Sequence, residues 1–157
     1  MSVDTGTEGR ADSLELAAFL PYRLSVLANR VSRQLAALYS ERFDIAIPEW
    51  RVIAVLGQNL DVSADFVCAR TDMDRVTVSR TVARLLGKRL ILRRSLAQDR
   101  RCSVLNLSAA GRRVYEQIVP LARSYERQLL GALGASERAA LERALHALES
   151  RLVTTDS

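Results

Sequence analysis

Thr71 to Gly111 reads TDMDRVTVSRTVARLLGKRLILRRSLAQDRRCSVLNLSAAG, and the fold is decided there. Asp74 has a short acidic side chain able to cap a helix by accepting a bond from the Thr77 backbone N–H. In the helix that follows, Val78, Val82, Leu85 and Leu86 recur at three- and four-residue steps, which marks a buried face. Thr77, Arg80, Thr81, Arg84 and Lys88 fall on the other side as a stripe of cations and small hydroxyls. Then the period shortens. Leu90–Arg94 and Ser103–Leu107 read as strands, the second with clean alternation. A polar loop from Ser95 to Cys102, containing Asp99-Arg100-Arg101, separates them. A basic helix followed by a basic-tipped hairpin suits a groove-reading helix with a wing beside it.

Charge is concentrated in the same place. From Arg70 to Arg101 there are ten Lys/Arg against three Asp, a net of +7, while the whole chain carries +5. The remainder therefore sums to −2. Phosphate neutralisation needs such a localised footprint, whereas a merely solvated helix face intersperses both signs.

Upstream, Ser63 can cap a short helix from Ala64 to Arg70 with Phe66 and Val67 facing inward. Thr71-Asp72-Met73 is a tight turn into the basic helix. Short helix, turn and basic second helix have helix-turn-helix anatomy, with the second helix destined for the major groove. Asp61-Val62 is a brief extended piece. Further back, Pro48 suits a first helical position, and Trp50, Ile53, Ala54 and Leu56 give an apolar face ending at Gly57. Phe43 to Ile47 is a connector. Residues 12–41 read as one long amphipathic helix, with Leu16, Phe19, Leu20, Leu24, Leu27, Val31, Leu35 and Leu38 stepping by three and four. Pro21 should kink or restart it.

Downstream, Ser108 caps a long helix to about Ala132 whose face is Val114, Ile118, Leu121, Ala122, Tyr125 and Leu129; Pro120 is a candidate bend. Gly131 and Gly134 break the chain. Gly134, with Glu137 three residues on, starts a last helix carrying Leu141, Leu145, Leu148 and Leu152. The terminal helices have no complete internal partner. Paired across a twofold axis they would form an obligate interface.

At 157 residues the chain suits one domain with a real core, and 48% hydrophobic with 26% charged residues are globular values. Only the first dozen and last few residues have a disordered composition. No apolar run reaches the roughly 18 residues of a membrane span. The polar, acidic start MSVDTGTEGRADS is not a signal peptide, so the expected compartment is the cytoplasm with reduced thiols. Two cysteines, Cys68 and Cys102, and a single histidine, His146, exclude the usual zinc spacings, so no metal or cofactor is expected. Cys102 lies beside Asp99, Arg100 and Arg101, where cations would lower a thiol pKa; a thiol-based redox sensor is therefore one alternative reading. With no assembled nucleophile, carboxylate pair or metal site, an enzyme is not expected.

The sequence resembles the MarR family of winged helix-turn-helix transcriptional regulators from about Phe19 to Leu152. The residues that carry the likeness are Asp74-Arg75-Val76-Thr77-Val78-Ser79-Arg80 at the start of the recognition helix. Asp99-Arg100-Arg101 with Val104, Leu105, Leu107, Ser108 and Gly111 carry it through the wing. Ile47-Pro48-Glu49-Trp50-Arg51-Val52 also resembles the family's second-helix opening. Asp72 and Arg89 stand where the family often has glycine, and Ile47 where it has a hydroxyl cap.

The resemblance implies a mainly α fold with a small β-hairpin wing, a single MarR-like domain over residues 1–157. Its winged helix-turn-helix spans 47–107, between dimerisation helices at 12–41 and 108–153. It implies a homodimeric repressor of a nearby operon that reads a pseudo-palindrome in double-stranded DNA. A small effector, an aromatic or phenolic acid or its CoA thioester, would release it. Carried over by position, Arg75, Thr77, Ser79 and Arg80 face bases and phosphates, and Ser63 and Arg84 contact phosphate. Arg100 or Arg101 enters the minor groove with Asp99 as its ion-pair partner. Phe19, Tyr22, Arg23, Trp50 and Tyr115 would supply aromatic walls and a cation for the effector. An effector-independent architectural DNA-binding protein is the other alternative. The reactive cysteine that peroxide-sensing relatives carry near the first helix has no counterpart here.

Overall fold

The computed structural model describes residues 14–96 and 99–153, with backbone alone at positions 96, 99–102 and 153. Seven helices and one hairpin follow in order among these residues: α1 (Leu20–Ala37), α2 (Ser40–Phe43), α3 (Ile47–Gln58), α4 (Ala64–Thr71), α5 (Arg75–Gly87), β1 (Ile91–Leu96), β2 (Asp99–Leu107), α6 (Ala109–Leu130) and α7 (Ala135–Val153). The core lies where α3, α4, α5 and the hairpin meet. Val52, Ile53, Leu56, Val67, Val78, Val82, Leu85, Ile91 and Leu105 are buried there, joined by Tyr39, Ile45 and Ile118 from the flanking segments. Apolar burial of this kind supplies the main folding drive. No helix among the described residues is long and apolar enough to cross a membrane.

The long first helix expected over 12–41 is shorter. A turn at Leu16–Ala18 precedes Phe19, and α1 begins with Pro21 in its first turn. There the missing N–H costs nothing, so the proline restarts the helix and does not kink it. After Ala37 the chain leaves the helical path, and Tyr39 is buried against Trp50 with ring centroids 5.7 Å apart. The expected connector over 43–47 is part helix: α2 ends at Asp44 in the left-handed region, and α3 starts already at Ile47. Ala46 holds the cap position and has no side chain to cap with. The Glu49 carboxylate compensates by accepting from the Ala46 N–H at 2.8 Å.

Gly57 lies inside α3, one residue before its end. A Cβ at that position would overlap the Tyr115 ring of α6, so glycine there sets the approach of α6 to α3.

The strands also exceed expectation. Register runs from Ile91↔Leu107 to Ser95↔Ser103, and β2 begins at Asp99, inside the stretch read as loop. Ladder bonds are made by the backbone and do not need the apolar alternation that marks a strand in sequence. Val62 adds an isolated bridge to Leu105, with N···O distances of 3.3 and 2.8 Å. That is the brief extended piece read at Asp61-Val62.

Candidate nucleic-acid interface

The recognition helix starts as its sequence specifies. Asp74 Oδ1 accepts from the Thr77 N–H at 2.8 Å, and the Thr77 hydroxyl donates to Asp74 Oδ2 at 2.7 Å. These bonds hold the Asp74 carboxyl below its ordinary pKa, the backbone N–H of Thr77 contributing most. Ser63 likewise caps α4, accepting from the Phe66 N–H at 3.1 Å. The turn between the two helices uses Asp72 at φ 54°, a left-handed conformation that aspartate tolerates.

Three side chains depart from their expected places. Thr81 is buried, not solvent-facing: it lies one helical step from Val78 and Leu85, and its hydroxyl donates to the Thr77 carbonyl at 2.7 Å. Phe66 is exposed, unlike Val67, and carries the Arg70 guanidinium 5.9 Å from its ring centroid. Lys88 leaves the outward cation stripe altogether. Its ammonium lies 3.0 Å from Glu49 Oε2 and 3.2 Å from Asp44 Oδ2, and donates to the Asp44 carbonyl. Partial burial pulls the Lys88 pKa down, but the bonds and charges of Glu49 and Asp44 outweigh it and raise the value.

The outer face of α5 then consists of Arg75, Val76, Ser79, Arg80 and Arg84, all exposed. Arg75 pairs with Asp65 of α4 at 3.3 Å, an exposed contact that phosphate can displace at little cost. Val76, 58% exposed in the first turn, was missed by the sequence reading. Its signal is that it falls out of phase with the Val78–Val82–Leu85 stripe. An apolar side chain between arginines can meet a thymine methyl. Thr77 is half-buried with its hydroxyl proton engaged on Asp74, so it can offer DNA only an acceptor or its methyl.

The wing is fastened at its root. Asp61, at φ 52°, donates its N–H to Asn106 Oδ1 at 2.9 Å, and Asn106 Nδ2 donates back to Asp61 Oδ1 at 2.7 Å. Arg94 of β1 reaches the same oxygen at 2.8 Å. The Asn106 bond and then the Arg94 bond lower the Asp61 pKa. No local pattern could have revealed a cluster whose members lie 33 and 45 residues apart. The side chains of Asp99, Arg100, Arg101 and Cys102 lie outside the described residues, so the expected tip ion pair does too. Cys68 is half-buried in a recess with Arg75, Ser79 and Arg93.

α5 therefore presents an arginine-rich face beside a hairpin tied to the same domain. A MarR-family model matches residues 43–101, from α2 to the start of β2. A MarR/EmrR family regulator from Acinetobacter sp. ADP1 superposes at TM-score 0.82 with 28% identity, covering 90% of this chain and 99% of that one. Over residues 43–101 the chain matches the MarR family, and over most of its length it is similar to MarR-family transcriptional regulators. Within the MarR fold, MepR of S. aureus, solved with DNA, superposes at TM-score 0.77 with 21% identity over 85% of this chain and 98% of that one. BpsR of Bordetella bronchiseptica, whose DNA binding is regulated by 6-hydroxynicotinic acid, superposes at TM-score 0.77 with 21% identity over 87% of this chain and 97% of that one. Comparison with curated protein sequences finds no match.

The residues expected at an effector pocket fall into two groups. Trp50 stacks on Tyr115 with centroids 6.1 Å apart, and Arg112 lies 5.6 Å from the Tyr115 centroid while donating to the Gly57 carbonyl at 3.0 Å. Tyr39 completes this cluster, and burial pushes its phenol up to about 12. Tyr22 and Arg23 instead line an open recess along α1 with Leu24, Leu27 and Arg30. Phe19, partly exposed, is the α1 cap residue.

Proposed function

We propose that this protein is a homodimeric repressor that reads a pseudo-palindromic operator and is released by a small aromatic acid. One observation carries the reading: the leucines of the terminal helices are uncovered while the outer face of α5 is basic. Leu20, Leu24 and Leu27 on α1 and Leu141, Leu145, Leu148 and Leu152 on α7 are 39–69% exposed in the single chain. Apolar stripes of this length on flanking helices call for a second copy across a twofold axis. Two recognition helices held in that way would meet major grooves about one helical turn apart.

In this arrangement Arg75, Thr77, Ser79 and Arg80 face base edges, and Ser63 and Arg84 contact phosphate. Arg100 or Arg101, oriented by Asp99, enters the flanking minor groove. The effector would lie between α1 and the reading domain, with Tyr22 and Arg23 on one side and Trp50 and Tyr115 on the other. Support for an aromatic acid comes from the regulation of BpsR by 6-hydroxynicotinic acid together with the arginines of α1. The site of action would be the cytoplasm.

Fluorescence anisotropy against DNA from the protein's own upstream region, with a scrambled duplex of equal length, tests the reading. Saturable binding of one dimer per site, about a hundredfold tighter than to scrambled DNA, is the expected result. Equal, salt-sensitive binding to both would favour an architectural role. Within this assay Arg80→Ala should weaken binding and relax base preference. Arg101→Ala should weaken binding to both duplexes alike and flatten the salt slope by about one. Equal loss of specificity from both would overturn that division.

A further inference from the structure

The Lys88–Glu49 contact differs in kind from the other ion pairs of the domain. The Arg75–Asp65 and Arg94–Asp61 pairs join partners at least half exposed, but the Glu49 side chain is 3% exposed. A buried carboxylate is strongly unfavourable unless paired and hydrogen-bonded. Glu49 spends one oxygen on both the Ala46 N–H and the Lys88 ammonium, and its other oxygen, Oε1, has no partner. Asp44 adds its carbonyl and carboxylate to the same ammonium. One cation at the C-terminal cap of α5 thus gathers oxygens from the whole corner between α2 and α3.

We infer that Lys88 and Glu49 form a strut that fixes the end of the recognition helix to the start of α3 and transmits its position to Trp50. The inference rests on α5 being the DNA-reading helix. Glu49 is adjacent in sequence to Trp50, whose ring is held between Tyr39, just beyond α1, and Tyr115 of α6. A shift of α5 on DNA therefore pulls at the junction of the reading domain with the long helices, and a shift there moves α5. Lys88 is a positioning residue in this scheme. It makes no phosphate contact, although its place in the sequence puts it among the DNA-facing cations.

Trp50 is the only tryptophan of the chain, so its emission reports on the strut directly. The experiment titrates the full-length protein with its preferred duplex and with a scrambled duplex. Labelled-DNA anisotropy and Trp50 emission are followed together for wild type, Lys88→Arg, Lys88→Met and the double variant Glu49→Gln/Lys88→Met. The double variant removes both charges at once and keeps the protein folded should Lys88→Met alone strand the buried carboxylate. Wild type should show Trp50 emission changing along the anisotropy isotherm, and Lys88→Arg should retain most of that response. The double variant should lose the Trp50 response and at least tenfold in preference for the specific duplex, with scrambled-DNA affinity and salt slope unchanged.

A double variant with full preference and an intact Trp50 response would overturn the strut. So would an equal loss on both duplexes with the salt slope reduced by about one, which marks a phosphate contact. A silent Trp50 in wild type, while anisotropy saturates, would overturn the transmission. A wild type that binds neither duplex would overturn the DNA reading itself, and the inference with it.

Discussion

Arg89 is where a single residue is held against its own preference. Its φ is 57°, and around it the Leu90 N–H bonds to the Leu85 carbonyl and the Arg89 N–H to that of Leu86, each at 3.0 Å. This is a Schellman ending for α5, with arginine at the left-handed position that glycine occupies without penalty. Its carbonyl also accepts from Ser108 at 2.8 Å, which ties the ending to the start of α6. Arg89→Gly should therefore stabilise the protein by roughly 1 kcal/mol in chemical denaturation, since a side chain in that region costs roughly 1–2 kcal/mol. Loss of stability would show that the arginine head makes a compensating contact. Asp74 gives a pH prediction. Its pKa is lowered on folding, so the stability it adds is present above the ordinary value of 3.8 and is lost as pH falls through the folded value. The melting-temperature advantage of wild type over Asp74→Asn should be level from about pH 5 to about pH 8 and shrink in more acid solution. A constant gap down to the acid limit would mean the carboxylate charge adds nothing to the cap.

At the scale of elements, two glycines decide how helices approach. Gly57 admits the Tyr115 ring against α3, and Gly111 lets the first turn of α6 pass the Leu90 carbonyl, where any Cβ would collide with backbone. Gly57→Ala should cost about 1–3 kcal/mol by overpacking. It should also displace Tyr115 from Trp50, seen as a change in near-ultraviolet dichroism and Trp50 emission. Unchanged spectra would place the stack elsewhere in solution. The caps at Ser63, Asp74 and Ser108 were legible in the sequence because capping is local: acceptor and N–H lie three residues apart. The length of the wing was not, because strand pairing is a backbone property. Thr81 and Phe66 were misplaced because a residue near the edge of a helical stripe is buried or exposed by its neighbour's shape, not by its own polarity.

For the whole molecule, the uncovered leucines of α7 are the surface that the proposed homodimer would cover. Leu145→Glu should convert a dimer to a monomer in light scattering and lower specific DNA affinity, while the wild-type hairpin and core stay folded by circular dichroism. A variant that still elutes as a dimer would place the interface on another face. The basic excess between Arg70 and Arg101 is also smaller at the surface than in the count. Lys88, Arg94 and Arg75 each hold an ion pair within the fold; Lys88 has a buried partner, while the partners of Arg75 and Arg94 are exposed.

The sequence by itself determined the helix-turn-helix, its caps, the hairpin that follows and the arginine face of α5, because each rests on periodicity or on bonds spanning a few residues. It also marked the terminal helices as unpartnered, since their leucine stripes exceed what one small core can cover. Only the tertiary structure decided which cations face outward, that Lys88 turns to a buried Glu49, and that Asp61, Arg94 and Asn106 fasten the wing. Those contacts join residues 33 to 45 positions apart. Chain closure over such distances is set by the packing of the core, and no local pattern encodes it.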